Sequence, residues 1–499
     1  MNSSSSQDVP YRGLIMILIM LATIMQVLDT TIANVALPHM QGSLTATQDQ
    51  ITWVLTSYIV ASAIMTLPTG WLAGRYGRKN VFVLGIAGFT LSSMLCGMAL
   101  TIEQMVFFRI LQGCFGAVLV PLSQATMLDI NPREKHASAM ALWGVGVMVG
   151  PILGPTLGGF LTEYYSWRWV FFINLPLGVL ALVGLMIFMP DSPRQDRPFD
   201  KFGFLTLSLV IGCTQMVLDR GEQLDWFQSR EIVFYAAIIA AALWMYAIHT
   251  RQSRHPFLSP AMFRDRNLAT SLVFIFFVGI ILLATMALLP PYMQNLMGYP
   301  VLDVGILMAP RGIGTMLAMM LVGKLAGRID PRFLILFGLA LTAVSLQAMT
   351  AFTTYVPPAA IIWTGAAQGF GLGLIFVPLS TIAYSTLDPR YRAEAAGVFS
   401  LSRNMGSSIG ISLVIGTLSK NIKVNHAYLT ENLTPFSLGL SWQQVPDALR
   451  SNASGVLGML DAEVTRQAAT IAYVNDFKLM MWIVMTSAPM VFLLRRPVK

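Results

Sequence analysis

The chain has 499 residues, of which 55% are hydrophobic and only 11% charged, and its mean hydropathy is +0.65. A soluble protein usually carries about a quarter charged residues, and disordered chains carry fewer apolar ones. The composition therefore argues against a soluble enzyme, a disordered scaffold and a secreted disulfide-bonded protein. The net charge of +8 would favour nucleic-acid binding in a soluble protein, but here the basic residues lie in short loops, so no nucleic-acid partner is expected.

Apolar runs recur from Leu14 almost to the C-terminus, and a run of about 20 apolar residues spans a bilayer as a helix. No signal-peptide cleavage site follows the first run, so we expect a retained helix. We predict an all-α polytopic membrane protein with fourteen transmembrane helices, at roughly 14–36, 50–73, 81–100, 104–127, 137–161, 169–189, 203–219, 231–249, 267–290, 301–322, 333–353, 358–384, 394–418 and 476–494.

Lysine and arginine are concentrated in alternate loops. The opposite short loops hold only Arg168, Arg220 and Arg230. Because cytoplasmic loops carry the excess of positive residues, both termini are expected in the cytoplasm, which requires an even number of spans. The basic side of the chain holds Arg12, Arg75, Arg78, Lys79, Arg133, Lys135, Arg194, Arg197, Lys201, Arg251, Arg254, Arg264, Arg266, Lys324, Arg328, Arg332, Arg390, Arg392, Arg495, Arg496 and Lys499.

The chain repeats itself at long range. The hexapeptide at 70–75 recurs at 323–328, and Gln112 with its following glycine recurs as Gln368, at offsets of about 253 to 257 residues. Equivalent spans differ by eight, so the two copies have the same orientation, as in the parallel halves of major facilitator transporters. The predicted organisation is a cytoplasmic N-terminus at 1–13, a six-helix half at 14–189, two inserted helices at 203–249, and a second six-helix half at 267–494.

One predicted outer loop is long and polar, at 419–475. We expect a helix within it at about Val456 to Tyr473. The loop is either a small extracytoplasmic cap or a docking surface.

Asp29 is the one acidic residue that lies deep in a predicted span. A carboxylate in hydrocarbon costs several kcal/mol or takes up a proton, so it is a functional candidate. At about 100° per residue, Gln26, Thr30 and Asn34 share its helix face, which must point at a cavity or another helix. A structural hydrogen bond between helices is the alternative.

Span four carries Arg109, Gln112 and Gly113 on one face. Asp29 lies about 22 Å from the inner end of span one at 1.5 Å per residue, and Arg109 lies at similar height in a core about 30 Å thick. The two side chains can therefore pair. A guanidinium favours the ionised carboxylate and burial favours the protonated one, so such a pair can exchange a proton when it is disturbed.

Two more arginines lie near mid-depth, Arg311 in span ten and Arg403 in span thirteen, without an obvious acidic partner. They bind backbone carbonyls or attract anionic substrates, and the sequence leaves both readings open. We assign to a substrate cavity Gln26, Thr30, Asn34, Gln112, Arg311, Gln368 and Arg403.

Span five contains a glycine at every fourth position together with two prolines. Such a stripe lets two helices approach closely, and the prolines permit bending. The glycines of the stripe are Gly146, Gly150, Gly154 and Gly158, and the prolines are Pro151 and Pro155.

Several motifs together resemble the EmrB/QacA family of fourteen-helix drug:proton antiporters, within the major facilitator superfamily. These are 28–38 in span one, 109–113 in span four, 150–155 in span five, and two segments similar to the EmrB branch, 166–176 and 218–226. The resemblance covers nearly the whole chain. It implies that Asp29 carries the coupling proton and that Arg109 assists it, and that the span-five motif marks an exporter. It also implies a bacterial inner-membrane location, with a periplasmic adaptor and an outer-membrane channel as candidate partners.

The loop between spans two and three resembles the motif shared by major facilitators, through Gly70, Gly74, Arg75, Gly77 and Arg78. That motif usually has an acid where this chain has Gly74. The charged latch that closes the cytoplasmic side is therefore expected to be altered here.

The leading hypothesis is a proton-driven exporter of hydrophobic small molecules. A major facilitator that moves a specific metabolite, a non-transporting receptor and a membrane enzyme are the alternatives. An importer of polar nutrients predicts more polar centres within the membrane, a receptor does not need Asp29, and an enzyme needs a catalytic or metal cluster. The five histidines are scattered, the three cysteines lie in apolar runs, and no nucleotide-binding loop is present, so no catalytic site, cofactor or metal is expected.

Overall fold

The computed structural model describes residues 10–192, 194, 198–325, 328–388, 391–431 and 453–495. Within these ranges the regular elements are helices. In chain order they are α1 (Arg12–Ser43), α2 (Gln48–Thr66), α3 (Thr69–Tyr76), α4 (Arg78–Met98), α5 (Ile102–Gly116), α6 (Leu119–Asp129), α7 (His136–Tyr164), α8 (Trp169–Phe172), α9 (Asn174–Phe188), α10 (Lys201–Arg220), α11 (Arg230–Gln252), α12 (Arg266–Pro291), α13 (Val301–Leu325), α14 (Pro331–Met349), α15 (Pro358–Ser385), α16 (Arg392–Glu431) and α17 (Ala453–Ser487).

Several helices begin at side chains that cap their free backbone N–H groups. Thr47 forms a capping box with Gln50 at the start of α2. Asp200, Asp265 and Asp330 accept from the first turns of α10, α12 and α14. These short polar side chains replace water as acceptors and fix where each helix starts.

Three predicted spans are broken helices. Span two bends by 55° between α2 and α3, next to Pro68. Span four divides into α5 and α6, and span six into α8 and α9. Proline lacks the N–H that would continue the helical ladder, which accounts for the bend in span two.

Twelve helical segments of the described chain are long and apolar enough to cross a membrane, if α5 with α6 and α8 with α9 are each counted as one segment. The count is thirteen if α2 and α3 also form one span. The protein is thus a multi-pass all-α membrane protein, as predicted. The predicted thirteenth span lies in α16, whose serines, Arg403 and Asn404 make it more polar than the others. The count of fourteen stays a prediction.

The packing follows two sets of helices. α1 packs against α7 and α9, and α2 against α5, while α12 packs against α16 and α13 against α15. α7 packs against α13 and joins the two sets, and α10 and α11 pack against each other beside α2 and α16. We call the end of the bundle at which α1 begins the inner end, and the opposite end the outer end.

The described parts of the polar segment at 419–475 are helical. α16 continues unbroken to Glu431, and α17 begins at Ala453, so the expected helix at Val456 to Tyr473 is present and is continuous with the predicted last span. Residues 432–452 lie outside the described part. Polarity marks where a helix leaves hydrocarbon, but its backbone ladder continues in water. At 1.5 Å per residue the 40 residues of α16 measure about 60 Å, twice the hydrocarbon core.

The extended helices predict a labelling pattern. Val424 of α16 and Met459 of α17 are 57% and 64% exposed, and Tyr76 at the inner end of α3 is 53% exposed. In a variant without native cysteines, Val424→Cys and Met459→Cys should react with a membrane-impermeant maleimide added to spheroplasts. Tyr76→Cys should react only after permeabilisation. The opposite pattern would show that the orientation predicted from the charges is wrong.

Candidate functional site

Asp29 lies at the centre of the first six-helix half and is completely buried. Its Oδ2 accepts from Arg109 Nη1 at 2.7 Å. Its Oδ1 accepts from Gln112 Nε2 at 2.8 Å and from Asn174 Nδ2 at 2.9 Å. The pairing of Asp29 with Arg109 that equal depth predicts is therefore present, and three donors from two other spans hold the carboxylate.

Arg109 is fixed from several sides. Its Nε donates to the backbone oxygen of Val54 at 3.0 Å, and its Nη1 also donates to Gln112 Oε1 at 2.7 Å. The guanidinium lies 4.2 Å from the ring centroid of Tyr58, within cation–π range. Arg109 Nη2 is buried without a hydrogen-bond partner. The guanidinium can therefore take one more acceptor without leaving its position.

Asn174 is a site residue that the sequence analysis quoted in a motif but did not assign. Its Nδ2 donates to both Asp29 Oδ1 and Ser93 Oγ, each at 2.9 Å, and its Oδ1 is buried without a partner. Ser93 in turn donates to the backbone oxygen of Phe171 at 2.9 Å. In the sequence its signal is a polar amide inside the predicted sixth span at 169–189.

Every partner of Asp29 donates a hydrogen bond, so both carboxyl oxygens of Asp29 act as acceptors. Protonation of Asp29 would leave Arg109 as an uncompensated buried charge. Breaking a buried pair on one side costs about 3–5 kcal/mol.

The glycine stripe of α7 packs against α1, the helix that carries Asp29. A Cβ atom at Gly150 would lie 2.9 Å from the backbone nitrogen of Leu28, and one at Gly154 would lie 2.1 Å from Thr31 Oγ1. A Cβ atom at Gly146 would likewise meet the side chain of Met20, and one at Gly158 would meet Ile32. The close approach of helices expected from the stripe is present, and its partner is α1. α7 is unbroken through Pro151 and Pro155.

The motif of the 70–79 loop lies at the inner end. A Cβ atom at Gly70 would lie 2.6 Å from the Cα of Glu394, so α3 and α16 are in backbone contact there. Gly77 has φ +86°, which favours glycine, and it turns the chain between α3 and α4. A Cβ atom at Gly74 would meet nothing within 4 Å.

Asp129, at the end of α6, supplies a carboxylate at this end of the bundle. It pairs with Arg78 of α4 and, at 3.0 Å, with Nη1 of Arg392 in α16. One acid thus connects the two six-helix halves, although position 74 has none. Ser138 Oγ adds a hydrogen bond to the backbone oxygen of Gly323 at 3.0 Å.

The residues assigned to a substrate cavity do not form one site. Gln112 belongs to the Asp29 network. Gln26 Nε2 donates to Tyr58 Oη at 3.0 Å, Thr30 bonds its own helix, and Asn34 is exposed. In the second half, Gln368 Nε2 donates to Thr285 Oγ1 at 3.1 Å, and Arg311 Nη2 donates to the backbone oxygen of Leu282 at 3.0 Å.

Arg403 lines a small cavity between the two halves. Its volume is about 30 Å³, room for a water molecule and far below the roughly 300–1,000 Å³ of drug-sized sites. A larger ligand therefore requires the halves to separate. Its walls come from Gly144, Val147, Met148, Val278, Leu282, Thr315, Met319, Leu372, Phe376 and Arg403.

A second buried carboxylate lies in α17. Asp476 is 1% exposed, accepts from Thr417 Oγ1 at 2.7 Å, and has its Oδ2 without a hydrogen-bond partner. Asp476 is the first residue of the span predicted at 476–494, whereas in the structure α17 already begins at Ala453. Its contact with Thr417 joins α16 to α17.

The comparisons with known proteins identify the family. Residues 19–411 match the Major Facilitator Superfamily, and the chain belongs to it. It is 34% identical to the probable multidrug resistance protein EmrY of Escherichia coli strain K12 over 465 residues. The aligned region covers 92% of this chain and 90% of EmrY. It is 35% identical over 439 residues to the multidrug export protein EmrB of the same organism, at 86% of each chain.

A further relative is the fatty acid resistance protein FarB of Neisseria gonorrhoeae, 33% identical over 485 residues, which cover 96% of this chain and 95% of FarB. These relatives confirm the resemblance: the chain is an EmrB-like transporter of the superfamily. A transporter rather than an enzyme is thereby indicated.

Solved structures agree on the fold. The human organic anion transporter MFSD10 matches with a TM-score of 0.60 at 13% identity, over 95% of this chain and all of that one. The proton:xylose symporter XylE also matches at 0.60 and 13% identity, over 96% of each chain. At these identities the likeness establishes the major facilitator fold alone.

The contacts of the glycine stripe predict which substitutions are tolerated. Gly150→Leu and Gly154→Leu should each destabilise the protein by about 1–3 kcal/mol, since the added side chain meets α1. Gly159→Leu is the matched control, because a Cβ atom there meets nothing within 4 Å. Thermal unfolding of the purified variants measures the difference, and equal unfolding temperatures for all three would refute close packing as the role of the stripe.

Proposed function

We propose that the protein is a multidrug exporter that moves hydrophobic small molecules out of the cytoplasm in exchange for protons. The observation that carries this proposal is the buried Asp29–Arg109 pair, held by Gln112 and Asn174. A membrane-embedded carboxylate is the residue type that carries protons in pumps and transporters. The printed names of EmrB and EmrY, multidrug export and multidrug resistance proteins, support the choice of substrate.

The pair and the glycine stripe support a coupling mechanism. When Asp29 is ionised, Arg109 neutralises it and α1 is bonded to α5 and α9. When Asp29 takes up a proton, the attraction is lost, and α1 is free to shift along the stripe of α7. The contacts of Asp129 and Glu394 at the inner end are then the ones that must open and close as the halves rock in alternating access.

The same proposal includes location and partners. An EmrB-like exporter belongs in the bacterial inner membrane, with both termini in the cytoplasm. α16 and α17 then extend into the periplasm, where a periplasmic adaptor and an outer-membrane channel would continue the export path. The exposed apolar residues Val424, Tyr428 and Met459 on these helices support an adaptor surface there.

Asp29→Asn should abolish drug-driven proton exchange. Asparagine is nearly the same size as aspartate but cannot bind a proton at any relevant pH. The measurement is drug-induced proton flux in vesicles that contain the purified protein, with dye and antibiotic efflux from cells as a second readout.

The control is Asp476→Asn, which changes a second buried carboxylate outside the pair. It should retain exchange. Normal exchange by Asp29→Asn, with normal amounts of protein in the membrane, would disprove the coupling role of Asp29.

The adaptor proposal has its own test. Replacing Val424, Tyr428 and Met459 together with serine should weaken pull-down of the cognate adaptor and leave drug-induced proton exchange in vesicles unchanged. Lys420→Ala with Lys423→Ala on the same helix is the control for charge. Unchanged pull-down would rule out this surface, and loss of exchange would indicate that the helices are a structural cap.

A further inference from the structure

The motif at 218–226 forms the outer end of α10 and the turn that leads to α11, the two inserted helices. Trp226 Nε1 donates to Glu222 Oε2 at 3.1 Å across this turn. A Cβ atom at Gly221 would lie 2.7 Å from the Trp226 ring, so the ring packs directly on the backbone. These contacts hold the turn, and with it the end of α10, in one conformation.

The end of α10 is bonded to α2 of the first half. Thr56, which is 4% exposed, donates its hydroxyl hydrogen to Asp219 Oδ2. Beside this bond, the guanidinium of Arg220 lies 5.8 Å from the ring centroid of Trp53, within cation–π range. Two consecutive residues of the motif therefore grip the same stretch of α2.

The same stretch of α2 carries the partners of Arg109 on another face. The backbone oxygen of Val54 accepts from Arg109 Nε at 3.0 Å, and the Tyr58 ring lies 4.2 Å from the guanidinium. At about 100° per residue, Val54 and Tyr58 lie about 40° apart around the helix, and Thr56 lies about 160° from each of them. This part of α2 thus lies between the inserted helices and the buried ion pair.

The bonds to Arg109 depend on how α2 is rotated about its axis. Backbone atoms lie roughly 2 Å from the axis of a helix, so a rotation of about 20° moves the Val54 oxygen by roughly 0.7 Å. A hydrogen bond of 3.0 Å is close to the upper limit of good geometry and does not tolerate such a shift. A bond that fixes the rotation of α2 therefore also fixes the position of Arg109.

We propose that Asp219 is a positioning residue for the buried ion pair of the first half. It acts through Thr56, and the bond between these two side chains keeps α2 in the orientation that presents its carbonyl and its aromatic ring to Arg109. The motif at 218–226 thereby supports the pair from outside the six-helix half. The inference deepens the proposed function, and it rests on that function for its consequence, proton exchange.

A native thiol beside the pair provides the readout. Cys96 is fully buried, and its Sγ donates to Gln112 Oε1 at 3.6 Å. A buried thiol reacts only when its surroundings open, so its labelling rate measures local opening. In the full chain with Cys114→Ser and Cys213→Ser, Cys96 is the single cysteine. The measurement is the rate of labelling by N-ethylmaleimide of the purified protein in nanodiscs.

Thr56→Val and Asp219→Ala each remove the bond and should raise the labelling rate of Cys96 by about fivefold, the size expected for one hydrogen bond. Thr56→Ser and Asp219→Asn keep a donor and an acceptor and should label at the parental rate. The matched control is Thr214→Val, another threonine-to-valine change in the same region, because the Thr214 hydroxyl bonds only its own helix.

A second reporter separates positioning from a general loss of stability. Ser271 is fully buried in α12 of the other half. Ser271→Cys in a chain that also carries Cys96→Ser should label at one rate, whether or not Asp219 is replaced. An equal increase at both reporters would overturn the proposal, and so would an unchanged rate at Cys96 in Thr56→Val and Asp219→Ala.

Transport gives an independent readout. In drug-induced proton exchange, Thr56→Val should lower the maximal rate by a similar factor and leave the KM for the drug unchanged. A changed KM at an unchanged maximal rate would contradict a role at the ion pair. Because labelling needs no transport, a parental chain that exchanges no protons would disprove the proposed function, while the labelling rates still decide the role of Asp219.

Discussion

The structure depends on one ion pair that is sealed from water. Asp29 and Arg109 are both fully buried, and at a separation of 2.7 Å each is the main compensation for the charge of the other. A buried pair is more stable when hydrogen bonds satisfy its remaining donors and acceptors. Gln112, Asn174 and the backbone of Val54 supply such bonds from three different spans, and among the polar atoms of the pair only Arg109 Nη2 is left without a partner. The pair thereby connects α1 to α2, α5 and α9.

The helices around the pair are held by close backbone contact rather than by large side chains. Apolar burial gives little preference between helix and lipid within a membrane, so small residues that let backbones approach are the main source of specificity. Gly150 and Gly154 bring α7 against the stretch of α1 that contains Asp29. α7 also packs against α13 of the other half, so a shift of α1 has a direct path to the boundary between the halves.

At the inner end one carboxylate pairs with arginines of both halves. Gly74 stands where related transporters usually have an acid, and the space beside it is open. Asp129 binds Arg78 within the first half and Arg392 of the second, so an acid still joins the halves. The backbones of the two halves are also in contact at Gly70 and Glu394.

The sequence alone determined the class of protein, the depth of Asp29 and Arg109 and the parallel repeat, because hydropathy, helical period and spacing fix the face and height of a residue in a span. The rotation of one helix against another is decided by tertiary packing. For that reason only the structure decided that Asn174 reaches Asp29, that the stripe faces α1, and that Asp219 bonds Thr56. Likewise polarity predicts a membrane boundary near residue 419, but only the structure decided that the helix continues to Glu431, because its backbone hydrogen bonds persist in water.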